Sequence, residues 1–231
     1  MPLNILSAGA AQGVVLALAA QFKAETGADL NATFGAVGAM REKFLAGDAC
    51  DLIILTKAQI AELVAQSRVW RDSAADLGIV RTGVAVRVGD AFPDVSDADA
   101  LRAALLAADG IYFPDPIKAT AGIHVAKVIA ALGIDADVAS RIRTYPNGAT
   151  AMRAMADEKN GRLIGLTQVT EINNTVGATL VSVLPKEFEL ATVYSVGVAT
   201  SAKSMEAARH LAKMLTGEVS LAVRVKAGYE F

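Results

Sequence analysis

The sequence predicts an α/β fold with a covered sheet, divided into two lobes. Short apolar β-type runs alternate with helical patterns along nearly the whole length, and the strand candidates are too apolar to be half solvated. No tandem repeat, low-complexity tract or linker rich in Pro, Gly or Ser separates the halves. The lobes are therefore expected to be joined by strands rather than by a tether.

The elements follow in order. Leu3–Ser7 reads as a strand, and a helix from about Gln12 to Thr26 carries Val15, Leu18, Ala19 and Phe22 at helical spacing, with Gly27 as its stop. Asp29–Phe34 is a second strand, Met40–Leu45 a short helix closed by Gly47, Asp51–Leu55 a third, buried strand, and Ala58–Gln66 a helix. Gly78–Val88 alternates as a long strand leading into a second series: helix over Asp97–Ala107, strand Ile111–Phe113, helix Ile123–Leu132 stopped by Gly133, and strand Arg141–Tyr145. A helix across Ala151–Asp157, strands over Leu163–Gln168, Thr179–Leu184 and Thr192–Thr200, and helices over Met205–Leu215 and Val219–Ala227 complete the chain.

Composition narrows the function. The 231 residues carry 22 Lys+Arg against 24 Asp+Glu, a net charge of −2, with no basic block, which argues against a dedicated nucleic-acid binder and for a small-molecule partner. The single cysteine, Cys50, excludes an internal disulfide framework and a multi-thiolate metal site, and the two histidines, His124 and His210, leave little else for metal chemistry. No apolar run approaches the roughly 20 residues that span a bilayer, so membrane insertion is not expected. The N-terminal segment lacks the pattern of a secretory leader, so the expectation is a cytoplasmic protein, or a periplasmic one from which a leader was removed. No cofactor is expected: AGAAQG lacks the spacing of a dinucleotide fingerprint, and neither a P-loop nor G-x-S-x-G occurs.

Four strand-to-helix turns are built of small residues: Ser7-Ala8-Gly9-Ala10-Ala11, Gly35-Ala36-Val37-Gly38, Ala119-Thr120-Ala121-Gly122 and Asn147-Gly148-Ala149-Thr150. A helix start has N–H groups without partners and the positive end of the helix dipole, and small residues let an anion reach it. Each turn can equally serve tight helix–strand packing. Their recurrence in both halves is the stronger signal of an anion cradle.

Five segments resemble the type II periplasmic solute-binding fold, and within it the molybdate-binding proteins of ABC transporters. They are AAQFKAETG (Ala19–Gly27), FGAVGAM…LAGDACDLIIL (Phe34–Leu55), DPIKATAGIHVAKVIAALGI (Asp115–Ile134), GLTQVTEI (Gly165–Ile172) and the terminal KAGYEF. The resemblance covers essentially the whole chain. It implies two Rossmann-like lobes, 1–80 with 198–231 and 81–197, with crossing strands near Ile79–Arg87 and Ala191–Val198. A small anion would lie in the cleft, held in a hinge closure, and an exported form would serve an ABC permease.

The chain departs from that family's pattern at three donors. Two serines of the molybdate binders are replaced by Ala10 and Val37, and a tyrosine by Gln168. Each lost donor in a dehydrated anion site removes about 1.5–3 kcal/mol, which disfavours molybdate and tungstate. The side chains the resemblance places around the ligand are Ser7, Arg41, Lys57, Lys118, Thr120, His124, Asn147, Thr150, Gln168 and Tyr194, with backbone from Gly38, Ala121 and Ala149. They suit an organic carboxylate better. The altered turns and the T-A-G-I-H segment are similar to the aconitate isomerases of this scaffold, which implies as an alternative a cytoplasmic isomerase of a di- or tricarboxylate.

An allylic proton shift needs a base and an acid working near neutrality, and His124 is the histidine near a cleft turn. It reads either as that group or as a ring packed on the sheet or exposed on its helix. Arg41, by its planar fork, and Lys118, as a point charge, read as carboxylate partners or as solvated residues. Asn147, Thr120 and Thr150 are equally N-cap residues. His210 reads as a surface residue. Cys50 reads as a small buried hydrophobe rather than a nucleophile.

Overall fold

The computed structural model describes all residues, Met1–Phe231. Nine strands alternate with ten helices in the order β1 (Leu3–Ala8), α1 (Gln12–Thr26), β2 (Leu30–Gly35), α2 (Val37–Ala46), β3 (Leu52–Thr56), α3 (Lys57–Ala65), β4 (Ala75–Arg87), α4 (Ala98–Ala107), β5 (Gly110–Pro114), α5 (Thr120–Ala131) and α6 (Asp135–Val138). Then come β6 (Ile142–Tyr145), α7 (Gly148–Asp157), β7 (Leu163–Gln168), α8 (Val169–Asn173), β8 (Ala178–Val183), β9 (Ala191–Val198), α9 (Met205–Thr216) and α10 (Leu221–Ala227).

The chain forms two compact units, Met1–Val80 with Thr192–Phe231, and Arg81–Ala191. The second change of unit falls at Ala191/Thr192, not at 197/198 as the sequence reading had it. The reason is pairing: β9 runs antiparallel to β3 from Tyr194 opposite Thr56 to Val198 opposite Leu52, so its side chains pack with the first unit.

In the first unit β1 pairs in parallel with β2 on one side and β3 on the other, and β9 closes the order β2-β1-β3-β9. The helix α1 buries Val15, Leu18 and Phe22 of its expected stripe, with Val14 buried and Ala19 only half-buried, and ends at Gly27 with φ 73°, a left-handed conformation that glycine adopts without strain. Asp51, buried at the entrance to β3, accepts from the Asn4 backbone N–H at 2.9 Å with one carboxylate oxygen and from the Lys203 and Ser204 N–H groups at 2.7 and 3.2 Å with the other. It pins β1 and the start of α9 to β3. Arg224 in α10 is also buried and donates to the carbonyls of Leu77, Thr216 and Gly217 and to Ser220 Oγ, while its guanidinium lies 4.7 Å from the Phe231 ring centre.

In the second unit β7, β5 and β6 are parallel neighbours, and β4 lies antiparallel to both β7 and β8. Successive side chains of a strand face opposite ways, and two separate cores show it. Val84, Ile111, Phe113, Ile164 and Leu166 pack with Leu101 and Leu105 of α4 and Val125, Val128 and Ile129 of α5. The alternate residues Ala85, Tyr112 and Leu163 pack with Ala151, Met152 and Met155 of α7 and Ile172 of α8. The sheet is therefore covered on both faces, which is why its strands are apolar on both.

Three helices begin about one turn earlier than apolar periodicity suggests: α2 at Val37 rather than Met40, α5 at Thr120 rather than Ile123, and α7 at Gly148 rather than Ala151. Their first turns are the small-residue turns themselves, which lack large apolar side chains for periodicity to register.

Candidate functional site

Parallel strands release their helices at the same end, so the turns converge within each unit. In the first unit Ala8, the last residue of β1, sits opposite Gly35, the last of β2. The Gly9–Ala11 turn that leads into α1 and the start of α2 are thus neighbours. Neither α1 nor α2 has a side-chain cap or an acidic residue in its first turn to offset the helix dipole. Ala10 and Val37 are buried, and the Tyr229 hydroxyl donates to the Ala10 carbonyl at 3.1 Å. Ser7 is buried with its hydroxyl donating to the Ala8 carbonyl at 3.0 Å. Gly38 is the second residue of α2.

Arg41 lies one turn into α2. One terminal nitrogen meets Glu62 at 3.1 Å, while its Nε is buried with no partner, so the guanidinium is only partly satisfied. Lys57, at the start of α3, is ion-paired to Asp76 at 2.7 Å, and Asp76 also accepts from Ser195 at 2.6 Å. Burial pushes the Asp76 carboxyl up, but those two donors together hold it below its ordinary value. Tyr194 is fully buried in β9.

In the second unit Pro114 at the end of β5 is opposite Tyr145 at the end of β6, and β7, on the other side of β5, ends at Gln168. The starts of α5 and α7 and the Gln168 side chain therefore share one end of this sheet. Before α5, Asp115 Oδ1 accepts from the Ile117 and Lys118 N–H groups at 2.7 and 3.1 Å, and Lys118 is exposed. The α5 start, Thr120 and Ala121 included, has neither a side-chain cap nor an acidic residue. Gly122 there is a packing glycine: a Cβ would stand 2.2 Å from the Asp115 carbonyl oxygen.

His124, one turn further along α5, has Nε2 2.7 Å from the Phe188 carbonyl oxygen. A carbonyl only accepts, so Nε2 carries the hydrogen and Nδ1 is the nitrogen available to a ligand.

The fourth turn differs from the other three. Asn147 Oδ1 caps α7, accepting from both the Thr150 N–H and the Thr150 hydroxyl at 2.9 Å. The Gly148 and Ala149 N–H groups donate to Glu171, a fully buried carboxyl that also accepts from Gln168 N–H and, at 2.6 Å, from the Thr167 hydroxyl. A Cβ on Gly148 would lie 2.0 Å from both Glu171 Oε2 and Thr167 Oγ1, so only glycine admits this arrangement. Burial raises the Glu171 pKa against the pull of these four donors. At this expected ligand turn, Asn147 Oδ1, the Ala149 N–H and the Thr150 N–H and hydroxyl thus have partners within this unit.

Gln168 is 2% exposed, and neither its Oε1 nor its Nε2 has a hydrogen-bond partner. Thr82 lies directly opposite it in the β4–β7 ladder and Thr170 follows two residues later; their hydroxyls are buried and likewise unpartnered. Glu171, Thr82 and Thr170 had no signal as site residues. Burial of polar atoms without partners becomes visible only when the strands are paired.

Cys50 is buried, its thiol donating to the Leu52 carbonyl at 3.3 Å and pushed up to about 12 by burial, which makes it a poor nucleophile. His210 meets Glu25 at 2.6 Å on the surface of the first unit.

Known proteins share this architecture. The periplasmic molybdate-binding protein of Azotobacter vinelandii superimposes with a TM-score of 0.79 at 18% identity, covering 99% of each chain. The sulfate-binding protein SubI of Mycobacterium tuberculosis gives 0.71 at 16%, over 99% of this chain and 86% of that one. In sequence, an aconitate isomerase of a Pseudomonas species is 25% identical over 225 residues, 94% of this chain and 82% of the relative. No helix is long and apolar enough to cross a membrane. With the fold matched from end to end and the family model for bacterial extracellular solute-binding proteins spanning residues 3–230, the chain belongs to that family.

Proposed function

We propose that this protein binds a small organic carboxylate. The observation that carries the reading is that the starts of α1, α2 and α5 are built of small residues and have neither side-chain caps nor first-turn acids. Such helix ends attract anions through free N–H groups and the helix dipole. Relatives of this fold are named for molybdate and sulfate. Here Ala10 and Val37 offer no side-chain hydroxyl. The partly satisfied Arg41 and the exposed Lys118 are the cations we assign to the ligand's carboxylates. In an exported form the protein would deliver its ligand to an ABC permease.

A thermal-shift panel of molybdate, tungstate, sulfate, phosphate, citrate and cis- and trans-aconitate tests this. A ligand at 100 times its Kd adds about 2.7 kcal/mol, a shift of several degrees. The expected result is a shift with polycarboxylates that exceeds any from the tetrahedral oxyanions. No shift with any anion would contradict it.

A second reading, isomerisation of a tricarboxylate, is favoured by the match to an aconitate isomerase and by the His124 ring, fixed through Nε2 to the Phe188 carbonyl. In that reaction Nδ1 takes a proton from the carbon next to a carboxylate, the double bond moves by one carbon, and the proton returns at the far carbon, with no net change in composition. One-dimensional NMR of trans-aconitate with the protein would show its signals replaced by those of the cis isomer, and His124→Gln would stop this while leaving the thermal shift. Unchanged spectra would rule the reading out.

A further inference from the structure

We propose that the second unit selects a 2-hydroxycarboxylate, a carboxylate with a hydroxyl on the adjacent carbon, and that Gln168, Thr82 and Thr170 are the residues that read it. The inference rests on the organic-carboxylate reading above and names the ligand class within it.

At the end of the sheet formed by β6, β5 and β7, two kinds of donor would ordinarily serve an anion: helix N–H groups and side chains. The α7 N–H groups of Gly148 and Ala149 are already taken by the Glu171 carboxyl, which Gly148 alone allows to approach. A compact oxyanion would find those donors committed. Beside the α5 start and Lys118, what this end of the sheet offers is the primary amide of Gln168, 2% exposed, with both Oε1 and Nε2 unpartnered, and the hydroxyls of Thr82 and Thr170, 1% and 3% exposed and unpartnered. Four buried polar atoms without hydrogen bonds, on paired residues of β4 and β7 and on the first turn of α8, are a standing penalty in the empty protein.

A bare carboxylate satisfies only part of this set. It accepts from Nε2 and from the hydroxyls but has nothing to donate to Gln168 Oε1. A 2-hydroxycarboxylate presents a donor and an acceptor side by side, matching the amide edge: its hydroxyl donates to Oε1 while a carboxylate oxygen accepts from Nε2. The threonine hydroxyls, each donor and acceptor, complete the remaining lone pairs. Sites that hydrogen-bond a ligand hydroxyl discriminate strongly against the analogue that lacks it, because the analogue leaves buried groups unpaired.

The test is calorimetric titration of the intact protein with two matched pairs: citrate against propane-1,2,3-tricarboxylate, and malate against succinate. At least tenfold tighter binding of the hydroxylated member of a pair is expected. Equal affinities within a pair would overturn the inference and leave the carboxylate reading standing; that result would mean that ordered water fills the amide's needs. Binding of none of the four, with no response in the thermal-shift panel, would remove both. The variant Gln168→Leu provides a second readout, since it replaces an unsatisfied amide with a side chain of similar size. Its ligand-free melting temperature should rise and its preference within each pair should fall below threefold. A lower melting temperature with the preference intact would contradict the role given to Gln168.

Discussion

Glu171 sits in surroundings far from those a solvated carboxylate experiences. Its carboxyl is buried, and four donors converge on it from Thr167, Gln168 and the first turn of α7. Because burial raises its folded-state pKa above the unfolded value, the unfolded chain releases this proton first as pH rises. The group's contribution is complete below the unfolded carboxyl pKa of about 4.3 and is lost as pH rises through the folded value. Urea unfolding across that window should show a stability that declines with pH at up to about 1.4 kcal/mol per unit for this one proton, and Glu171→Gln should flatten the slope. An identical slope in the variant would mean that the carboxyl titrates as it does in the unfolded chain. Nothing near Glu171 in sequence reveals this role, since Gly148, the residue it caps, lies 23 positions away. Asn147 was legible, because Asn followed three residues later by Thr is a local N-cap pattern, and the local contact is what the structure contains.

At the scale of elements, the helix stops and buried strands were legible and the helix starts were not. Gly27 and Gly47 close α1 and α2 with φ of 73° and 93°, and Gly133, with φ 65°, follows α5, each a position where the left-handed region requires glycine. Periodicity misplaced the starts of α2, α5 and α7 because a first turn of Ala, Gly and Thr is defined by the backbone. The five-residue α8 is too short to show a period at all. Tertiary ties such as Asp51 and Arg224 were equally invisible, since most of their hydrogen-bond partners are main-chain groups that any sequence would provide. Arg224 holds α10 to the Leu77 carbonyl and to the end of α9 by three hydrogen bonds, and a fourth goes to Ser220, just before α10. Arg224→Leu leaves those buried acceptors unpaired and should lower stability by about 2–4 kcal/mol, read by chemical denaturation. A loss under 0.5 kcal/mol would mean that the acceptors find other donors.

For the molecule as a whole, two units that each gather helix starts at one end of a sheet account for the family's shared use as receptors and for its divergence in ligand. The scaffold supplies backbone N–H groups whatever the side chains are, so the ligand changes when a few turn residues change. In this chain Ala10, Val37 and Gln168 stand in the sequence to be read. The bonds from the first turn of α7 to Glu171 do not. The most direct test of the central claim is an amide-resolved NMR titration of the isotopically labelled protein with citrate. The account predicts saturable shifts concentrated at the starts of α2 and α5, at Val37, Gly38, Thr120 and Ala121. Titration with citrate to high excess without movement of those amides would contradict it.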